Sequence, residues 1–455
     1  MDCDVIVIGS GQAGVPLAAR LAEVGRRVVL AESSHLGGSC VNYGCTPSKT
    51  VIAAARAAHV ARTAGAHGVH TGEVRVDLGA VVDRKDRKVQ GWRDSVAERL
   101  RSAGERLRLV RGHARFTGPR TVRVGDEEYR ADVVIVNTGA RPVEPPIPGL
   151  TEVPWLDNAG LMALRQLPEH LLVLGGGYIG CELGQAYRRF GAKVTLIDHN
   201  TRLLSREDPE VSETLAEVFA DEGIDLRLGA EIRSVTGGSG SVTARLAGGD
   251  TVEGSHVLVA TGRRPRTDDL GAEAAGLELD EGGAIPVDEH YRTAVDGVYA
   301  VGDVTGGAQF THASWDDHRI LFDLLEGDGR RTRADRLIPY AVFTDPQVGR
   351  VGLSESEARR QGIPHESTRM PFHRIARASE TGQTAGTLNV IIDPGDETVL
   401  GATIVGAEAA ELIHVFVALM SAGAPVRALV DAEAIHPTFA EGLQTLVMQL
   451  DRYAL

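Results

Sequence analysis

One pattern occurs twice in this 455-residue chain and limits what it can fold into. Residues 4–14 read Asp-Val-Ile-Val-Ile-Gly-Ser-Gly-Gln-Ala-Gly, an apolar run typical of a buried parallel strand that enters G-x-G-x-x-G. A helical stretch from Leu17 to Val24 follows, then Gly25 and a strand pattern from Arg27 to Ala31 that ends at Glu32. Residues 171–180, Leu-Leu-Val-Leu-Gly-Gly-Gly-Tyr-Ile-Gly, repeat the opening. A helix through Tyr187, then Gly191 and the strand Lys193 to Ile197, lead to Asp198. In both copies the acid stands 23 residues after the first glycine.

Each part has a physical reason. Gly9 and Gly175 allow the tight turn, Gly11 and Gly177 let the backbone approach a pyrophosphate, and Gly14 and Gly180 let helix and strand pack closely. The helix N-terminus offers free N–H groups and a positive dipole end to the phosphates. Glu32 and Asp198 would accept hydrogen bonds from ribose hydroxyls. A lone G-x-G-x-x-G says little, because glycine turns are common. Two copies, each between strand and helix with the acid at matched spacing, predict two dinucleotide sites. Two sites imply electrons passing from one dinucleotide to the other.

Composition narrows the setting. A chain of 455 residues suggests two to four domains, and 43% apolar residues supply several cores. With 4% aromatic residues and a formal net charge of −14, a phosphate-tracking nucleic-acid surface is not expected. No apolar run approaches the length needed to cross a bilayer, and the chain enters a strand pattern at once, with no basic leader segment. The expectation is a cytoplasmic protein with neither membrane nor nucleic-acid partner.

Four cysteines in such a chain cannot form a secreted disulfide framework. Two of them sit in Gly-Gly-Ser-Cys-Val-Asn-Tyr-Gly-Cys-Thr-Pro-Ser-Lys, from Gly37 to Lys49. In a regular helix, positions i and i+5 are roughly 8–9 Å apart on different faces, whereas a disulfide needs Cα atoms within about 7 Å. Pairing Cys40 with Cys45 therefore needs a distorted first turn, which Gly44 and Pro47 permit. A bond at a helix start is accessible, and the dipole there lowers thiol pKa, so such a bond is suited to being broken and remade. No further ligands follow at metal spacing, so no metal is expected. Cys3 and Cys181 read as small buried residues. The charged stretch Arg84 to Arg111 reads as a solvated helix face.

The cysteine segment resembles the active-site segment of the class I flavoprotein disulfide reductases, a family that includes dihydrolipoamide dehydrogenase, glutathione reductase and mercuric reductase. The resemblance extends over essentially the whole chain. It implies an α/β fold with two Rossmann-like domains, for FAD and NAD(P), and a C-terminal α/β dimerisation domain. The expected limits are 1–147 and 267–333 for FAD, 148–266 for NAD(P) and 334–455 for dimerisation. Cys45 would be the thiol nearest the flavin and Cys40 the interchange thiol that attacks substrate. Lys49 and Glu182 match the ion pair beside flavin N5, and Tyr178 matches the residue covering the nicotinamide pocket.

Other segments fit the same resemblance. Val134-Ile-Val-Asn-Thr-Gly-Ala-Arg-Pro and Leu258-Val-Ala-Thr-Gly-Arg-Arg-Pro are a second duplicated element, with Thr138, Gly139 and Gly262 where the chain changes domain. Gly38 and Asp303, the latter in Val-Tyr-Ala-Val-Gly-Asp, complete the implied FAD contacts, and His312 would lie near the flavin. Ile435-His-Pro-Thr-Phe-Ala-Glu resembles the acid–base segment, in which His436 held by Glu441 reaches the active site of the other subunit of a homodimer. Asp198 repels a 2′-phosphate and favours NADH, while Arg202 is close enough to accommodate NADPH.

The implied activity moves electrons from NAD(P)H through FAD to the Cys40–Cys45 disulfide and on to a small disulfide or similar acceptor. The alternatives are a flavin-dependent quinone reductase or oxidase, or a redox sensor. Ile375-Ala-Arg-Ala-Ser-Glu-Thr-Gly resembles mercuric-reductase-like proteins, but the ending Leu-Asp-Arg-Tyr-Ala-Leu lacks a cysteine pair and no metal-binding domain precedes residue 1, which counts against mercury reduction.

Overall fold

The computed structural model describes residues 1–453. The first apolar run forms the strand Asp2–Ile8, whose last four residues are at most 4% exposed. It pairs in parallel with Val28–Glu32 on one side and Glu127–Val136 on the other, so Val7 lies between Leu30 and Ile135. Val28–Glu32 in turn pairs with Leu107–Arg111, and Val298–Ala300 joins Glu127–Val136, both in parallel. A parallel sheet must be covered on both faces, which explains why residues 5–8, 28–31 and 133–136 are continuously apolar. On one face the helices Gly14–Glu23 and Thr311–Glu326 share a core through Leu17, Leu21, Ile320 and Leu321.

The second copy builds a four-stranded parallel sheet in the order Asp225–Leu228, Lys193–Asp198, His170–Leu174, His256–Val259. Between the two sheets, Ala140–Pro142 and Arg263–Pro265 pair antiparallel, each directly after its Thr-Gly turn. The C-terminal region is a five-stranded antiparallel sheet, ordered Tyr340–Val342, Gln347–Gly352, Val399–Gly406, Thr387–Ile392, Glu366–Pro371. The helix Ala409–Ala422 packs on it through Ile413 and Phe416.

Two local readings change. The charged helix spans Leu78–Ser102, started by the Asp77 side chain accepting from the Ala80 amide at 3.0 Å, but Leu107–Arg111 is a strand of the first sheet. Strand pairing overrides the helical spacing of charge once Gly104 ends the helix at positive φ. Cys181 is fully buried as expected, whereas Cys3 is only half-buried, because it is the second residue of its strand, with its thiol 3.7 Å from the Arg130 carbonyl.

Candidate active site, a dithiol opening on a dinucleotide cavity

The cysteine segment solves its spacing problem by breaking the helix. Cys40 lies in a short helix, Gly38–Asn42, and Cys45 is the first residue of the long helix Cys45–Thr63. Between them Gly44, at φ −115° and ψ −112°, separates the two helices. Both thiols are free and line one cavity of about 1050 Å³, into which Cys45 is exposed. Cys45 Sγ also lies 3.0 Å from Thr311 Oγ1, the first residue of its helix. The Cys40 thiol, hydrogen-bonded to Cys45, holds the Cys45 pKa down to about 6, with help from Thr311 and the Lys49 charge against the effect of burial. The same contact, with burial, pushes the Cys40 thiol up. The pair thus separates into a ready thiolate and a thiol that needs a base.

The cavity is built from the first glycine motif. A Cβ on Gly9 would sit 2.3 Å from the Asn137 carbonyl, and one on Gly14 2.1 Å from Gly9 O. A Cβ on Gly11 would lie 2.8 Å from Asn137 Oδ1, and one on Gly38 2.7 Å from Gly11 Cα. Asn137 is the side chain sequence reading missed: its Oδ1 accepts from the Gly14 amide at 3.0 Å and its Nδ2 donates to Val301 O at 2.9 Å, tying helix start to strand ends. Beside it the buried Thr138 Oγ1 has no hydrogen-bond partner, and Gly139 leaves open space. A cavity of this size, lined by Gly9, Gly11, Glu32 and Gly38 and carrying an orphaned hydroxyl, fits FAD. The second motif repeats the backbone contacts, since Cβ atoms on Gly175 and Gly180 would meet Ala260 O at 2.6 Å and Gly175 O at 1.9 Å. Gly177 is different, with nothing within 4 Å, and so is Gly262.

Glu32 and Asp198 share a second duplication. Glu32 accepts from the Ser10 amide at 2.9 Å and the Ser34 amide at 2.7 Å. Asp198 accepts from the Gly176 amide, and from the Asn200 amide at 2.7 Å. Each acid therefore shapes its own glycine turn. Near Asp198, Arg202 is half-buried and its Nη1 lacks a partner.

Lys49 Nζ meets both Glu182 oxygens, at 3.0 and 2.8 Å, joining the dithiol helix to the helix Tyr178–Phe190. Tyr178, the first residue of that helix, projects into the cavity at 39% exposure, and burial raises its phenol pKa. Asp303 also lines the cavity; burial raises its carboxyl pKa against the pull of Arg263, 3.9 Å away. His312 donates from Nε2 to Pro339 O at 2.6 Å and stacks on Phe310, with burial lowering its pKa.

One predicted pair lies apart. His436 Nδ1 meets Glu441 Oε2 at 2.8 Å, but the His436 side chain is 70% exposed and the cavity of its own chain is not lined by it. Among the described residues no group of three or more His, Cys, Asp or Glu side chains could hold a metal ion. No helix among them is long and apolar enough to cross a membrane.

These features define a two-dinucleotide oxidoreductase with a redox dithiol. Residues 3–317 match the model of the pyridine nucleotide-disulphide oxidoreductase family and residues 338–447 match that of its dimerisation domain, and the chain belongs to this family. It is 36% identical to the Escherichia coli (strain K12) protein described as "Probable pyridine nucleotide-disulfide oxidoreductase RclA", over 97% of this chain and 98% of that one. It is 32% identical to a mercuric reductase of Staphylococcus aureus, over 99% of this chain and 83% of that one. The solved structure of the HOCl-induced flavoprotein disulfide reductase RclA from Escherichia coli superposes with a TM-score of 0.90 at 35% identity, covering 98% of this chain and 99% of that one. LpdA from Mycobacterium tuberculosis superposes at 0.88 with 28% identity, covering 98% and 99%. The protein is an FAD-dependent, NAD(P)H-using oxidoreductase acting on sulfur groups, and it carries the domain through which the family dimerises.

Proposed function

We propose that the chain reduces a small disulfide with NADH or NADPH, and that Cys40 is the group that attacks it. The observation that carries this is the unequal pair of thiols in one cavity, with Cys45 held at about pKa 6 and Cys40 pushed up. Bound FAD would accept hydride from the nicotinamide and pass the electron pair to the Cys40–Cys45 disulfide. Gly9, Gly11, Gly14, Gly38, Glu32, Thr138, Gly139 and Asp303 would hold it, while Gly175, Gly177, Gly180, Asp198 and Gly262 hold NAD(P)H, admitted past Tyr178. Lys49, paired with Glu182, keeps a positive charge beside the reactive edge and supports the Cys45 thiolate.

Once the pair is reduced, Cys40 must lose its proton before it can attack. His436 of the partner subunit, oriented by Glu441, takes that proton and returns it to the leaving thiolate of the substrate. The Cys45 thiolate then attacks Cys40 of the mixed disulfide, which re-forms the internal bond and releases the second product as a thiolate that takes its proton from water. We assign 1–147 and 267–333 to the FAD domain, 148–266 to the NAD(P) domain and 334–455 to the dimerisation domain. The Thr-Gly turns and the paired strands after them support these crossings. Asp198 favours NADH. A cytoplasmic setting suits a dithiol that must be re-reduced each turnover.

The test is steady-state turnover with NADH and with NADPH against a panel of small disulfides. Cu(II) belongs in the panel because RclA has been solved as a Cu(II) complex. Disulfide turnover should vanish in Cys40→Ser. Turnover that survives Cys40→Ser would sink the assignment and favour a quinone or oxygen acceptor.

A further inference from the structure

Lys49 and Glu182 belong to helices of different sheets, so their register depends on whatever touches both. Along one face of the helix Tyr178–Phe190, Glu182, Gln185 and Arg189 recur at steps of three and four. All three are held by a segment of the C-terminal region. The Phe343 amide donates to Glu182 Oε1 at 2.8 Å. Gln185 accepts from the Asp345 amide at 2.8 Å and donates to the Asp345 carbonyl at 2.7 Å. Arg189 bridges the Asp345 carboxylate, at 2.8 Å, and Glu222, at 2.6 Å, with its own side chain 6% exposed. The ring of Phe343 faces Lys49, with Nζ 4.5 Å from its centroid.

We propose that Phe343 is a positioning residue for the Lys49–Glu182 pair, its amide fixing the carboxylate and its ring fixing the ammonium. The inference rests on the role given to that pair above. An aliphatic side chain would fill the space but would present no negative ring face to the cation. The three contacts along the helix keep the Phe343 amide in line with Glu182, so this segment of the C-terminal region sets charge geometry beside the dithiol. Because the Lys49 charge helps lower the Cys45 pKa, a displaced ammonium should be visible at the thiol as well as in the rate.

The experiment compares the holoenzyme carrying Phe343→Leu with Phe343→Tyr, the conservative variant that restores a ring. Two quantities are read: the pH at which the two-electron-reduced protein loses its long-wavelength thiolate–flavin absorbance, and the stopped-flow rate of reduction by NADH. In Phe343→Leu the midpoint should move to higher pH and the rate should fall about three- to tenfold, the size of one cation–π contact. Phe343→Tyr should bring both back. If Phe343→Leu does not retain FAD, Phe343→Met takes its place with the same expectation. Values within twofold of the unmodified enzyme, or equal losses in the Leu and Tyr variants, overturn the proposal. Lys49→Met separates the two ideas. If it moves neither quantity, the role of the pair itself fails and this inference with it; if it moves both while Phe343→Leu moves neither, only Phe343 is wrong.

Discussion

Thr311 Oγ1 lies 3.0 Å from Cys45 Sγ, although the two residues stand 266 positions apart. The first turn of one helix thus offers a hydroxyl to the first residue of another. A hydrogen bond to a charged group contributes about 1.5–3 kcal/mol, and 1.36 kcal/mol corresponds to one pKa unit. Thr311→Val keeps the shape and removes the donor. With Cys45 near 6, the thiolate–flavin absorbance is present above that pH and fades as pH falls through it. In Thr311→Val the midpoint should rise by about one unit or more. A midpoint that stays put would assign Thr311 to packing alone.

The glycines of the second motif should separate two kinds of damage. A Cβ on Gly180 would lie 1.9 Å from Gly175 O, whereas one on Gly177 meets nothing within 4 Å. Gly180→Ala should disturb the fold of its sheet, seen as a lower melting temperature. Gly177→Ala should fold normally and, if the motif holds NAD(P)H as proposed, raise KM for it with kcat less affected, because the added methyl meets no protein atom. Equal effects from the two substitutions would contradict this division.

Glu182 is 4% exposed, so removing its cation leaves a buried carboxylate supported only by the Phe343 amide. Lys49→Met should therefore destabilise the protein by about 1–3 kcal/mol, less than a fully buried pair would, since Lys49 is 32% exposed. Adding Glu182→Gln should recover part of that loss, because the stranded charge disappears. Denaturant midpoints of the two single variants and the double variant measure it. Strictly additive losses would mean that the pair is not coupled.

What the sequence made legible was whatever is written locally. The glycine turns, the acids at matched spacing and the cysteine segment each lie within one short stretch, and backbone constraints tie residue type to position there. Asn137, Thr311 and Phe343 were not found as site residues. Their partners lie 123, 266 and 161 positions away, and an Asn at a strand end or a Phe before a turn has many ordinary explanations. The acids show a subtler gap. Spacing led to an expected ribose role, but not to the finding that Glu32 and Asp198 each clamp two amides of their own loop. The helix break at Gly44 followed from geometry in kind, though not in form: a distorted turn was expected and two separate helices are present.

The position of His436 allows a test of whether each active site spans two subunits. The His436–Glu441 pair is exposed and does not line the cavity of its own chain. If His436 serves the partner subunit, a dimer of one Cys40→Ser chain and one His436→Gln chain assembles one intact site, from the Cys40 of the second chain and the His436 of the first. Random reassociation of equal amounts makes half of the dimers mixed, so about a quarter of all sites should be active. If each site used its own histidine, every site in the mixture would lack one group and disulfide turnover would stay at the level of the inactive parents. Differentially tagged chains, dissociated, mixed and purified as the mixed dimer, decide it by turnover per flavin, with about half of the unmodified value expected for two-subunit sites and the parental background for single-chain sites.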